Sequence, residues 1–110
     1  MRLVIVIFRK LIEEMLELRP TCENCDKSLP PDSQEAMICT YECTFCSTCV
    51  TGILENVCPN CGGGFEKRPV RPKGQLAKHP AKMEKLHKPV NLIKFQKLKD
   101  ANRKINPKDR

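Results

Sequence analysis

A chain of 110 residues, 40% hydrophobic with one Tyr and no Trp, has room for one small domain and too little apolar material for a large self-sufficient core. Its net charge of +7 and eight cysteines direct attention to metal and to polyanions rather than to a buried enzyme pocket. The apolar run at residues 3–8 is shorter than a signal-peptide core or the roughly 20 residues of a membrane span, and no small-residue cleavage site follows, so the chain reads as cytoplasmic with reduced thiols.

Residues 1–20 open the chain with an amphipathic pattern. Val4, Phe8, Leu11, Ile12 and Met15 recur at three- and four-residue steps, with Arg9, Lys10, Glu13, Glu14 and Glu17 opposite, which predicts a helix over residues 3–18 ended by Pro20. The β-branched residues among 3–8 leave a short strand open as an alternative. The apolar stripe either packs on the rest of the chain or serves a membrane surface or partner.

Residues 21–65 carry all eight cysteines: Cys22 and Cys25, then Cys39, Cys43, Cys46 and Cys49, then Cys58 and Cys61. A two-residue gap lets one tight turn aim two thiolates at one ion about 2.3 Å away, and four thiolates close a structural zinc site, so eight fit two zinc ions. Four disulfides fit the count but not the reducing compartment or the short gaps, and thiolates alone leave an iron–sulfur cluster open. Leu29-Pro30-Pro31-Asp32 predicts an irregular loop. Residues 36–39 predict a strand, with residues 40–46 as its hairpin partner. Ser47 or Thr48 is placed to cap a two-turn helix carrying Cys49, Val50, Ile53 and Leu54, with Gly52 a weak point inside it. Cys58-Pro59-Asn60-Cys61-Gly62-Gly63-Gly64 predicts a second knuckle in which glycine supplies left-handed backbone. Apolar residues are so few here that metal binding and folding are expected to be one event.

The order and gaps of these cysteines, Phe45 before the fifth of them and the helix between the sixth and seventh resemble the cross-brace zinc module of the RING family. That resemblance implies a small metal-stabilised α+β fold: a RING-like two-zinc module of short hairpin plus short helix, here with flanking helices. It further implies that Cys22, Cys25, Cys46 and Cys49 hold one zinc while Cys39, Cys43, Cys58 and Cys61 hold the other, with Cys43 standing where most RINGs use His. Alternation of side chains along the hairpin favours the same pairing. Sequential pairing, Cys22, Cys25, Cys39 and Cys43 against Cys46, Cys49, Cys58 and Cys61, stays open. Met15-Leu16-Glu17-Leu18-Arg19-Pro20, Glu42-Cys43-Thr44-Phe45-Cys46 and Cys58-Pro59-Asn60-Cys61-Gly62-Gly63 more closely resemble a family of short bacterial Cys-rich proteins classed as a domain of unknown function, DUF1272. This second resemblance implies a bacterial origin and bound zinc, brings no activity, and makes residues 1–14 an upstream extension or a misassigned start.

Beyond residue 65 the chain turns basic: residues 66–110 carry a net +11 and residues 1–65 a net −4. Residues 66–90 read as a Pro-rich basic linker, with a Pro80-interrupted helix open over residues 75–87. Residues 91–110 predict a basic helix and tail. Asn91 is its cap, Val90 is placed to staple on Phe95, and Leu92, Phe95, Leu98 and Ala101 share a face among Lys94, Lys97, Lys99 and Arg103. That helix either meets nucleic acid or another anionic surface without sequence specificity, or folds back on the acidic module. His79 and His87 are expected to be solvated rather than metal-bound.

These features predict a zinc-stabilised interaction module, an adaptor or regulatory protein with a protein partner, and as alternative a nucleic-acid or anionic-surface binder acting through the tail. No enzymatic activity is expected. The residues that the RING resemblance would require for ubiquitin-ligase action are replaced by Asn24, by Ile53 or Leu54, and by Gly62. Closed four-thiolate sites leave no position for a catalytic water, although zinc release on oxidation would make a redox sensor.

Overall fold

β-Branched and aromatic side chains flank a tight turn at Cys39–Cys43, and in the computed structural model, which describes residues 15–110, they form the predicted hairpin. Strand β1, Ala36–Ile38, pairs antiparallel with β2, Thr44–Cys46, in the register Ala36 to Cys46, Met37 to Phe45 and Ile38 to Thr44. Glu42 takes the left-handed conformation, φ 65°, that closes the turn. A third strand, β3, Glu66–Lys67, adds to the other edge of β1, giving the sheet order β2-β1-β3. Glu66 and Lys67, expected to begin a linker, are therefore part of the sheet, and Arg68 beyond them is buried.

The predicted short helix follows β2 directly. It begins as α1, Ser47–Cys49, and widens into a π-helical stretch, Val50–Leu54, that Glu55 and Asn56 end in left-handed conformation. Neither Ser47 nor Thr48 caps it. Cys46 occupies the cap position, and the Ser47 amide is already satisfied by the Glu35 carbonyl at 2.8 Å, so no hydroxyl is needed there. Val50 and Leu54 face inward and join Leu29, Ala36, Phe45, Val57, Phe65 and Phe95 in a core whose remaining members are cysteines. Phe45 and Phe65 meet edge to face with centroids 5.5 Å apart.

Most of the predicted N-terminal helix lies outside the described residues. Its expected last turn does not form: residues 15–20 are irregular, because their carbonyls serve distant donors. Arg71 Nη2 donates to the Leu16 carbonyl at 2.7 Å and the Lys82 amide to that of Leu18 at 2.9 Å. The optional helix over residues 75–87 is also absent. A 3₁₀ turn, Lys73–Gln75, and a further turn closed by the His79 amide on the Gln75 carbonyl lead into irregular chain, since Pro80 breaks the pattern and the Lys82, Lys88 and Val90 amides bond to Leu18, Glu23 and Asn24 instead. Helix α2, Leu92–Asn102, forms as expected with Asn91 Oδ1 accepting from the Lys94 amide at 3.1 Å. Only Phe95 of its predicted apolar face is buried. Leu98 is half-buried, while Leu92 and Ala101 are exposed.

Candidate metal centre

Two knuckles with one backbone design carry the outer cysteines. In the first, the Asp26 amide donates to the Cys22 carbonyl at 3.0 Å and the Cys22 amide to that of Lys27 at 2.9 Å. In the second, Gly62 donates to Cys58 and Cys58 to Gly63, each at 2.8 Å. The residue after the second cysteine is left-handed in both, Asp26 at φ 64° and Gly62 at φ 78°. This turn is what points a pair of sulfurs the same way.

Against these knuckles the hairpin and α1 place the inner cysteines. The sulfurs of Cys22, Cys25, Cys46 and Cys49 lie within 4.8 Å of one another, as do those of Cys39, Cys43 and Cys58. Cys61, expected as the fourth of the second group, is exposed and its sulfur stands outside that 4.8 Å cluster. No cysteine is disulfide-bonded. Cys25 Sγ and Cys46 Sγ are 3.7 Å apart, close to the edge of a tetrahedron with arms of about 2.3 Å and far from the roughly 2.05 Å of a disulfide. The first group joins the first and third cysteine pairs, so the sulfurs are not gathered in sequential order.

Donors to sulfur, which orient thiolates and stabilise their charge, reach one cysteine of the first cluster and three of the second and its knuckle. The Tyr41 amide donates to Cys39 Sγ at 3.3 Å and the Gly63 amide to Cys61 Sγ at 3.4 Å. Two asparagines do the same from equivalent positions: Asn24 Nδ2 to Cys49 Sγ and Asn60 Nδ2 to Cys43 Sγ, both at 3.4 Å. Asn24 and Asn60 escape a search for ligands alone, and their shared place in two Cys-x-Asn-Cys knuckles is the signal that finds them. Bonds from the Cys58 thiol, Asn60 and Cys39 hold Cys43 down at about 5 against its burial. Donating a hydrogen bond to Cys43, together with burial, drives Cys58 up. Burial, with the bond to Cys43, raises Cys39 to about 11, and burial raises Cys49 to about 12. Sulfurs this close cannot all be anions unless a cation sits among them, and a thiophilic metal must displace the protons they share.

Arginine and glutamate support this frame from below. Arg68 is 1% exposed and donates to three carbonyls, those of Arg19 at 2.9 Å, Leu29 at 3.1 Å and Pro30 at 2.8 Å. The buried Glu23 carboxylate accepts from the Thr44 amide and from Arg19 Nη1 at 2.9 Å, tying the first knuckle to β2. Burial raises the Glu23 pKa, with Thr44 and Arg19 opposing it.

Residues expected outside the metal centre divide in two. Neither His79 nor His87 joins a cluster, and His87 Nε2 lies 3.2 Å from the Asn24 carbonyl instead. Of the basic set, Lys94 and Lys97 are exposed. Lys99 lies 3.6 Å from Glu55 and donates to the Ile53 carbonyl at 3.3 Å, while Arg103 pairs with Glu55 at 3.2 Å. The helix that carries them is folded back on the module.

A family model described as "Protein of unknown function (DUF1272)" matches residues 15–71, a span of more than half the chain that contains both clusters and all three strands. The chain belongs to the DUF1272 family. An uncharacterized protein of Rhizobium meliloti (strain 1021) is 57% identical over 75 residues, 68% of this chain and 89% of that protein. No solved structure matches. The DUF1272 span begins at Met15, where the resemblance places it, and ends at Arg71, so that Arg68 falls inside it and α2 falls outside. Among the described residues no helix is long and apolar enough to cross a membrane.

Proposed function

We propose that this protein is a cytoplasmic zinc-built interaction module, an adaptor or regulatory protein whose metal shapes a rigid surface for a protein partner. Cys22, Cys25, Cys46 and Cys49 hold one zinc and Cys39, Cys43, Cys58 and Cys61 the other, in RING-like cross-brace order. The observation that carries this is the convergence of four sulfurs from two separate segments to within 4.8 Å, at a spacing suited to tetrahedral coordination. Cys61 completes the second site because its knuckle has the same hydrogen bonds and the same left-handed residue as the one that delivers Cys25.

With four thiolates around each ion the metal is structural and the protein is not an enzyme. Ligase action of the RING type is further disfavoured by the residues at the places it would use, Asn24, Ile53 or Leu54, and Gly62.

Metal analysis of the reduced, full-length protein tests the proposal, with two zinc ions per chain expected. Cys61→Ser should lower the count to one or weaken one site selectively, and Cys46→Ser should do so at the other. One zinc in the native chain, or visible sulfur-to-iron charge transfer, would refute the assignment.

A further inference from the structure

We infer that residues 87–103 are a removable cover seated in the module's docking groove, and that the groove's external ligand is a basic amphipathic helix with one aromatic anchor, supplied by a partner protein. This rests on the module being a metal-built docking platform, and it names the surface and the chemistry of what docks.

The cover touches the module where the metal sites reach the surface. Asn24 uses one end of its amide to donate to Cys49 Sγ and the other to accept the Val90 amide at 2.9 Å, while the Glu23 carbonyl accepts that of Lys88 at 2.7 Å. On the second knuckle Gly62 lies against α2: a Cβ there would stand in ordinary contact, 3.6 Å from Leu98 Cδ1 and 3.8 Å from Asn102 Nδ2. Between the knuckles the helix commits one large apolar side chain. Phe95 is 5% exposed, whereas its neighbour Ile93 is 90% exposed.

Charge supplies the orientation. Lys99 and Arg103 converge on Glu55 at the end of the π-helical stretch, and Lys99 Nζ also lies 5.9 Å from the Phe95 ring. Closed four-thiolate zinc sites would add negative charge to a half-chain already at −4. A basic helix is therefore the complementary occupant.

Phe95 completes the buried core, yet three observations set the segment that carries it apart from the metal-built module. It lies outside the family span at residues 15–71. A cleft of about 420 Å³ opens along its seam with the module, lined by Phe45, Pro59 and Asn60 together with Val90, Phe95 and Leu98. The chain leading to it, residues 82–86, is exposed throughout. An isolated helix of 11 residues is marginal in water, so α2 depends on the groove for its own stability. Tethering gives the cover a high effective concentration, which keeps the groove closed to outside helices until the cover is weakened.

The test uses full-length protein, wild type against Phe95→Ala and, separately, Lys99→Glu with Arg103→Glu. A fluorescent synthetic peptide of residues 86–110 is titrated in, and zinc is counted in each protein. Both variants should keep their zinc and bind the peptide at least about tenfold more tightly than wild type, because the tethered competitor is weakened. A scrambled peptide of equal charge should not bind. Equal binding by wild type, no binding by either variant, or equal binding of the scrambled peptide would each overturn the inference. Loss of zinc from the variants would also overturn it, since a segment needed to retain metal is no cover. The zinc count of the wild type bears separately on the metal assignment itself.

Discussion

Arg68 closes the floor of the module with a buried guanidinium that has carbonyls rather than a carboxylate around it. Burial lowers its pKa, assisted by Arg71, yet the group stays charged, and the three carbonyls spread that charge over the segments at Arg19, Leu29 and Pro30. Arg68→Lys keeps the charge but loses the planar fork, leaving at least one buried carbonyl unpaired. A loss of about 2–3 kcal/mol in unfolding free energy is expected, with the zinc count unchanged, measured by thermal or denaturant melts at fixed zinc. The Glu23 pair behaves differently: since burial already disfavours its charge, Glu23→Gln should be milder than Glu23→Ala, which orphans the buried Thr44 amide and costs about 1–3 kcal/mol. The same denaturation series ranks the two. Spacing alone points to the cysteines that gather, because a two-residue gap aims two sulfurs the same way. Arg68 is invisible by that route, since an arginine beside prolines looks like linker until carbonyls from other segments surround it.

Elements were legible where local chemistry decides them. The hairpin follows from β-branched residues and a tight turn, and α2 follows from the Asn91 cap and the step from Phe95 to Leu98. The start of α1 was not legible, because the Ser47 amide is satisfied by the Glu35 carbonyl and leaves the flanking hydroxyls without a capping role. Residues 15–18 and the segment over residues 75–87 fail as helices where prolines intervene or distant groups claim their backbone. Asn91→Ala removes the bond to the Lys94 amide and should lower the local stability of α2 by about 1 kcal/mol. Hydrogen exchange should show the change in residues 92–102 while the hairpin amides stay as protected as before. Protection lost equally in both would mean that α2 and the sheet open as one unit.

At the scale of the whole molecule, the opposition between an acidic front and a basic tail is readable from composition, but its use is not, because pairing depends on where α2 lands. Glu55 takes up Lys99 and Arg103 and removes them from the charge available to a polyanion. Glu55→Gln should therefore make binding to generic duplex DNA more salt-sensitive by about 0.9 in log–log slope for each cation released, read from titrations across a salt series. An unchanged slope would mean that those two side chains never reach phosphate. Metal removal asks a larger question. Apart from sulfur, the core is a handful of aliphatic side chains, two edge-to-face rings and Phe95, too little to offset the ordering of the chain around them. The thiolate clusters join both knuckles to the hairpin and α1, while Asn24 and Gly62 lie against the C-terminal segment, so a chelator acting on the reduced protein should unfold sheet and α2 together. Amide spectra should lose their dispersion in one step and regain it when zinc is returned. If dispersion survives in the reduced, metal-free chain, apolar packing rather than coordination sets its shape, and the docking groove no longer depends on the cysteines.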